Sequence, residues 1–463
     1  MKSRIEIKTV DGIMSLPPNT ETKHTLAVGA TGAGKTQLIE QYVDNLIQRG
    51  DKGVILDLKG EFTAKFYRPG VDFILNPLDQ RSVKWTISND INFNLLKADS
   101  EVISNSLIND LSAQSENEKF FLQSAKNVLR ALIYFTYASG FKLNSDLNKK
   151  IFSGYEDIKA MLEAVKAIDS LSALGDKPSP QSDGVLATAH VWSRAIDLLS
   201  NMDGDFSIEN WIKNGEGLIF LNASQKYQNI VSPVARFFID FLLNILLGLG
   251  QDLERRIFII LDEFQNLSAI PSLLTILTLG RSAGASVIAG TQDFGLIDQK
   301  YTQNAKTTLL NAMNTLFLLR IIEPNTAEYL SKAMGESEVE DYTTSSSLSM
   351  NENWDRINIQ SNRRNERLVM PIDLSSLGDL EFYFKNKKYM AKSKLKLTIR
   401  ENKQPAFLPI SQEISVSEPL KSASRALAEG LSVSEPASVN KEQETIPADS
   451  SEQKTQENEK TLF

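Results

Sequence analysis

Eight residues near the N-terminus, "GATGAGKT" (Gly29 to Thr36), constrain this chain more than any other feature. They match the pattern G-x-x-x-x-G-K-[ST], follow the apolar run "TLAVGA" and open a segment of helical periodicity. Strand, glycine-rich loop, helix is the order in which this pattern cradles phosphate. Glycines let backbone N–H groups converge on the anion, and the helix N-terminus adds positive potential. On this reading Gly29, Ala30, Thr31, Gly32, Ala33 and Gly34 line the nucleotide site. Lys35 reaches the outer phosphates, and Thr36 ligates Mg²⁺. The expected ligands are ATP and Mg²⁺, but the loop alone does not say what the nucleotide is for.

The rest of the chain supplies an α/β frame. "GVILDL", "GLIFLNA", "RIFIILDE", "ASVIAGTQ" and "NTLFLLRI" are strand-like, several of them apolar on both faces as in a covered parallel sheet. The helix after the loop places Leu38, Ile39, Tyr42, Val43, Leu46 and Ile47 on one side and stops at "RGDKG". The first strand, this helix and the next strand make a βαβ unit. The pattern predicts an α/β P-loop fold with a mostly parallel central sheet, in two sequence blocks: residues 1–93 and 191–400. Between them, residues 94–190 read as a small inserted all-α domain, with amphipathic helices in "EKFFLQSAKNVLRALIYFTYA" and "YEDIKAMLEAVKAIDSL". Residues 401–463 read as a disordered acidic tail, rich in Ser, Glu, Gln and Ala. It repeats "SVSEP" twice, at Ser415–Pro419 and Ser432–Pro436.

Charge and composition remove other classes. The chain has no cysteine and two histidines, so disulfides and zinc cages are out. The longest apolar run, "FFIDFLLNILLGLG" (Phe237 to Gly250), carries Asp240 and is shorter than the ~20 residues of a membrane span, so it reads as a core helix. No direct span is expected, and a cytoplasmic place fits. Net charge is −8; from Ser411 onward ten acids meet five bases, which leaves the body at −3. That near-neutral body leaves room for a local basic stripe. "FKNKKYMAKSKLKLTIR" (Phe384 to Arg400) is basic, yet "KSKLKLTI" alternates like an edge strand that uses lysine against aggregation, which is the favoured reading.

Hydrolysis needs carboxylates at the end of a neighbouring strand. "RIFIILDEFQNL" supplies Asp262 to hold the metal's water shell and Glu263 to orient or deprotonate the attacking water. A helix is expected from Asn266 to Leu279. Arg281 follows in a small-residue turn, either as a surface ion pair or as an arginine finger reaching a neighbouring subunit. "ASVIAGTQ" then delivers Gln292 at a strand end, where it would sense the γ-phosphate.

"GATGAGKT", "VILDLKGEF", "NPLDQRSVKW", "FSIENWI", "LDEFQNL", "GRSAGASVIAGTQ" and "EPNTAEYLSKAMGE" follow one another as in the type IV secretion coupling proteins. These are the TraD/TrwB-like conjugation ATPases of the wider HerA/FtsK group, and the chain resembles them over about residues 20 to 400. The resemblance implies a hexameric RecA-like ring that pumps DNA, with an all-α domain at one mouth. It assigns Lys35 and Thr36 to nucleotide and metal, Asp262 and Glu263 to the Walker B pair, Arg281 to the finger and Gln292 to the sensor. Asp57, Lys59 and Glu61 in "DLKGE" match a family signature near the active site without an assignable role, and a salt-bridged strand end would explain them equally well. Implied partners are DNA, further copies of the chain, and relaxosome and secretion-channel proteins that would hold it at the inner membrane. Two other readings stay open: a HerA-like DNA-processing translocase, and a substrate-recruiting platform with slow ATPase activity.

Overall fold

Six apolar runs become six neighbouring parallel strands. The computed structural model describes residues 4–410 except 18, 19, 110, 112, 114, 253, 268, 302, 348–355 and 388. Residues 401–410, expected to begin the disordered tail, are instead ordered against the body, where the carbonyls of Pro405 and Ala406 accept from Arg81 Nη1 at 2.8 Å and Asn222 Nδ2 at 2.9 Å; the rest of the tail, with its two repeats, lies outside the described residues. A short hairpin, β1 (Glu6–Thr9) and β2 (Gly12–Ser15), precedes β3 (Thr25–Val28), β4 (Lys52–Asp57), β5 (Phe73–Ile74), β6 (Leu218–Asn222), β7 (Ile257–Leu261), β8 (Ala285–Thr291) and β9 (Thr315–Leu318). A long separate ribbon pairs β10 (Glu336–Ser347) with β11 (Arg356–Arg367), and β12 (Glu381–Asn386) and β13 (Tyr389–Lys394) close the series.

The central sheet runs β13-β12-β9-β3-β8-β7-β4-β6-β5. From β9 to β5 every pairing is parallel, and only β12 is reversed, pairing antiparallel with both β9 and β13. Alternate residues serve opposite faces, as the pleat requires. Val54 and Leu56 of β4, with Ile257, Ile259 and Leu261 of β7, belong to one buried cluster. Ile55, Phe258 and Ile260 belong to the other. Both faces are therefore covered. α1 (Lys35–Arg49), α2 (Glu61–Phe66) and the β1–β2 hairpin supply residues to the second cluster, and α11 (Gln228–Gly248) and α12 (Leu273–Leu279) supply the first. β13 lies at a sheet edge with mostly exposed side chains, in keeping with the lysine-bearing edge expected there.

Between β5 and β6 the regular elements among the described residues are helices, from α3 (Leu96–Leu107) to α10 (Ile208–Asn214). The helical run therefore continues past residue 190, and strand structure resumes only at Leu218. Its apolar residues join those of α11 in a single cluster. α11 is long and apolar enough to cross a membrane by length and composition, but 67% of its most apolar window is buried against the rest of the fold, including Arg236 and Asp240. The helix expected over residues 266–279 is broken. A 3-10 turn covers Phe264–Asn266, and α12 begins only at Leu273. Pro271 is the physical reason: its ring disfavours the helical conformation at Ile270, and it has no N–H to donate.

Candidate active site

Parallel strands put their C-terminal ends on one edge, and the strand ends of β3, β4, β7 and β8 bring their loops together there. β3 leads into the loop Gly29 to Gly34, whose Gly32 and Gly34 take φ values of 79° and 114°, a region that favours glycine. A Cβ at Gly34 would stand 2.8 Å from Leu380 Cδ2, so space as well as torsion excludes a side chain. The loop is held from outside: Ala30 N–H donates to the Arg320 carbonyl at 2.7 Å, and Leu380 N–H donates to the Ala33 carbonyl at 3.0 Å. Lys35 opens α1 and is 5% exposed. Its Nζ donates to the carbonyls of Gly29 at 2.6 Å and Ala30 at 3.2 Å, folding back across the loop. Burial pushes the Lys35 ammonium down, against the pull of Asp262 and Glu263. Thr36 follows it, half-buried in the first turn of α1.

β8 separates β3 from β7, so the loop and the Asp262–Glu263 pair flank the strand that delivers Gln292. Asp262 Oδ1 is buried and has no hydrogen-bond partner among the described residues. Burial first, then the neighbouring Glu263 carboxylate, pushes the Asp262 carboxyl up to about 6, against Lys35 and Lys59. An unpartnered buried carboxylate oxygen beside the phosphate loop suits a hard divalent cation, so the donor set fits Mg²⁺. Glu263 sits at φ 55° and ψ 45°. Its Oε1 accepts from Gln292 Nε2 at 3.0 Å, and Gln292 Oε1 in turn accepts from Thr31 Oγ1 at 3.1 Å. A continuous chain of contacts thus runs from the phosphate loop to Glu263.

The "DLKGE" segment divides into three different roles. Asp57 is buried and structural: its Oδ2 accepts from the backbone N–H of Thr63 at 2.6 Å and from Thr63 Oγ1 at 2.7 Å, fixing the start of α2. Lys59 Nζ pairs with Glu263 Oε1 at 2.9 Å. Glu61 is exposed and lines the same cleft as Lys59, Asp262 and Glu263. Sequence reasoning missed the Lys59–Glu263 pair, and also Asn266, whose Nδ2 donates to Glu263 Oε2 at 3.1 Å. Both signals were in view within quoted motifs, but no spacing rule joins residues 204 positions apart.

Arg281 is elsewhere. It precedes β8, whereas Gln292 follows it, so the seven residues of that strand, roughly 20 Å at 3.3 Å per residue, separate Arg281 from the phosphate loop of its own chain. It is exposed, forms no ion pair among the described residues, and lines a cleft of about 460 Å³ together with Lys23 and Lys387. Burial and the two neighbouring cations, Lys387 and then Arg281, hold the Lys23 ammonium below its ordinary value.

Known proteins resemble this chain in sequence and in fold. TraD, the coupling protein of Escherichia coli (strain K12), is 24% identical over 406 residues, covering 86% of this chain and 56% of that protein. VirD4 of Agrobacterium fabrum (strain C58 / ATCC 33970) is 22% identical, covering 78% of this chain and again 56% of the relative. The chain thus spans little more than half the length of these relatives. The unbound monoclinic form of the bacterial conjugative coupling protein TrwBdeltaN70 superimposes with a TM-score of 0.75 at 27% identity, over 89% of this chain and 92% of that one. The plasmid coupling protein TrwB in complex with ADP and Mg²⁺ gives 0.74 at 27% identity, over 89% and 94%. Residues 8–398 match the family model described as the type IV secretion-system coupling protein DNA-binding domain, and the chain belongs to that family.

Proposed function

We propose that this chain is an ATP-driven motor that moves DNA in type IV secretion, hydrolysing ATP between the subunits of a hexameric ring. The observation that carries the reading is the contact chain Thr31–Gln292–Glu263, which ties the phosphate loop to a carboxylate next to the unpartnered Asp262. In this reading residues 29–36 hold the nucleotide, and Lys35 leaves its two loop carbonyls to meet the outer phosphates. Thr36 and Asp262 would hold Mg²⁺, which neutralises phosphate charge when bound. Glu263 accepts the proton of the attacking water, and Gln292 reports the state of the phosphate end. Nucleotide-bound TrwB and the DNA-binding description of the family support these assignments.

Arg281 is the finger, acting on the neighbouring subunit's nucleotide, because it is too far from its own loop to act there. Residues 1–93 and the sheet-bearing part from Leu218 to residue 400 form the motor, with the helical run between them. Partners of this class are DNA, further copies of the chain, and relaxosome and channel proteins that would hold it at the inner membrane. The test is ATP turnover. It should rise several-fold with DNA at low salt, rise with protein concentration, and vanish in Lys35→Ala. Turnover indifferent to DNA would overturn the motor reading.

A further inference from the structure

Glu263 is crowded with donors. Oε1 accepts from Lys59 Nζ at 2.9 Å and from Gln292 Nε2 at 3.0 Å, while Oε2 accepts from Asn266 Nδ2 at 3.1 Å. Its left-handed backbone is one a glutamate adopts only where the surroundings impose it. Oε1 is the oxygen on the phosphate-loop side, since its donor Gln292 is itself bonded to Thr31. A carboxylate oxygen has two acceptor positions, and both of those on Oε1 are filled. A general base must offer a free one towards the water.

We propose that Lys59 is a latch on Glu263: in the resting subunit its ammonium occupies the oxygen that would accept the water's proton, and hydrolysis waits until Lys59 swings away. This rests on the reading of Glu263 as the base. The local build suits a latch better than a permanent brace. The Lys59 side chain is 41% exposed and makes no second hydrogen bond among the described residues. Glu263 is 15% exposed, so the pair is open to water on the lysine side, where ion pairs are weak and readily exchanged. The backbone around it is fixed. Asp57 caps α2, and Gly60, at φ 75°, lies where a Cβ would meet Ala406 Cβ at 2.8 Å. Only the lysine side chain is free to move. Because Gln292 holds the same oxygen and also contacts Thr31, phosphate arriving at the loop disturbs the second donor as well. Lys59 is thus a positioning residue that restrains the base.

The experiment measures ATP turnover by the full chain with and without DNA. Lys59→Met and Lys59→Gln should each raise DNA-independent turnover about two- to fivefold, the range expected for loss of one partly exposed ion pair. KM for ATP should stay unchanged, the stimulation by DNA should fall by the same factor, and Lys59→Arg should behave as the parent chain. Lower basal turnover in Lys59→Met, or no change, would overturn the latch. Glu263→Gln separates the two ideas. If that variant still hydrolyses ATP, the assignment of the base has failed. If it is inactive while Lys59→Met turns over like the parent, the latch alone has failed.

Discussion

At the scale of single residues, Asp262 is held by the fold against its own charge. Its carboxyl has an ordinary value of 3.8 and is pushed up to about 6 by burial and by Glu263. Folding therefore favours its protonated form, so the penalty is absent below about pH 4, grows as pH rises through 6 and is complete at pH 7. The difference corresponds to about 3 kcal/mol. Asp262→Asn should accordingly melt at a higher temperature than the parent chain at pH 7 in metal-free buffer, with the gain shrinking towards pH 4. A melting-temperature series against pH checks this, and an equal gain at both ends would show that burial of the charge is not its source. Asp262, Glu263 and Gln292 were legible because each ends an apolar run beside a glycine-rich loop. Lys59 was visible in its motif but its pairing was not, since Glu263 follows the neighbouring strand β7, 204 positions later in the chain.

At the scale of elements, the motifs "NPLDQRSVKW" and "FSIENWI" prove to be two halves of one joint. Trp85 is fully buried, packs on Phe237, Phe238 and Phe241 of α11, and bridges to Asp205 and Phe206. Its Nε1 donates to Asp90 Oδ2 at 2.8 Å, and Asp90 also accepts from the N–H groups of Ile208 and Glu209 at the start of α10. One tryptophan thereby fastens the helical insertion to the core helix beneath the sheet. Trp85→Ala should lose about 3–5 kcal/mol of stability, the usual cost of emptying a large aromatic site, measured by denaturant unfolding. The six parallel strands were readable because they are covered on both faces and hence apolar throughout. The two-residue β5, the polar ribbon of β10 and β11, and the start of α12 were not. The first is too short for a period, the second has mostly exposed side chains where they are described, and the third depends on a single proline.

At the scale of the whole molecule, the proposed catalytic set is split between opposite ends of β8. Glu263 and Gln292 lie at one end, with Arg281, Lys23 and Lys387 at the other. A chain built this way has half a site on each side, and a head-to-tail neighbour would complete it. Mixing inactive Arg281→Ala and Glu263→Gln subunits should therefore restore some turnover, because mixed contacts bring an intact Glu263 beside an intact Arg281. Turnover at the sum of the two separate preparations would count against action across the interface.

The clamp on the phosphate loop has a further consequence, for synthesis. The loop is made long before Arg320 and Leu380, on which its shape relies, and the neighbouring Gly60 turn rests against Ala406. During synthesis the loop must therefore wait for these later segments before both of its outside hydrogen bonds can form, and a nascent chain that has not reached Leu380 should hold nucleotide more weakly than the folded protein.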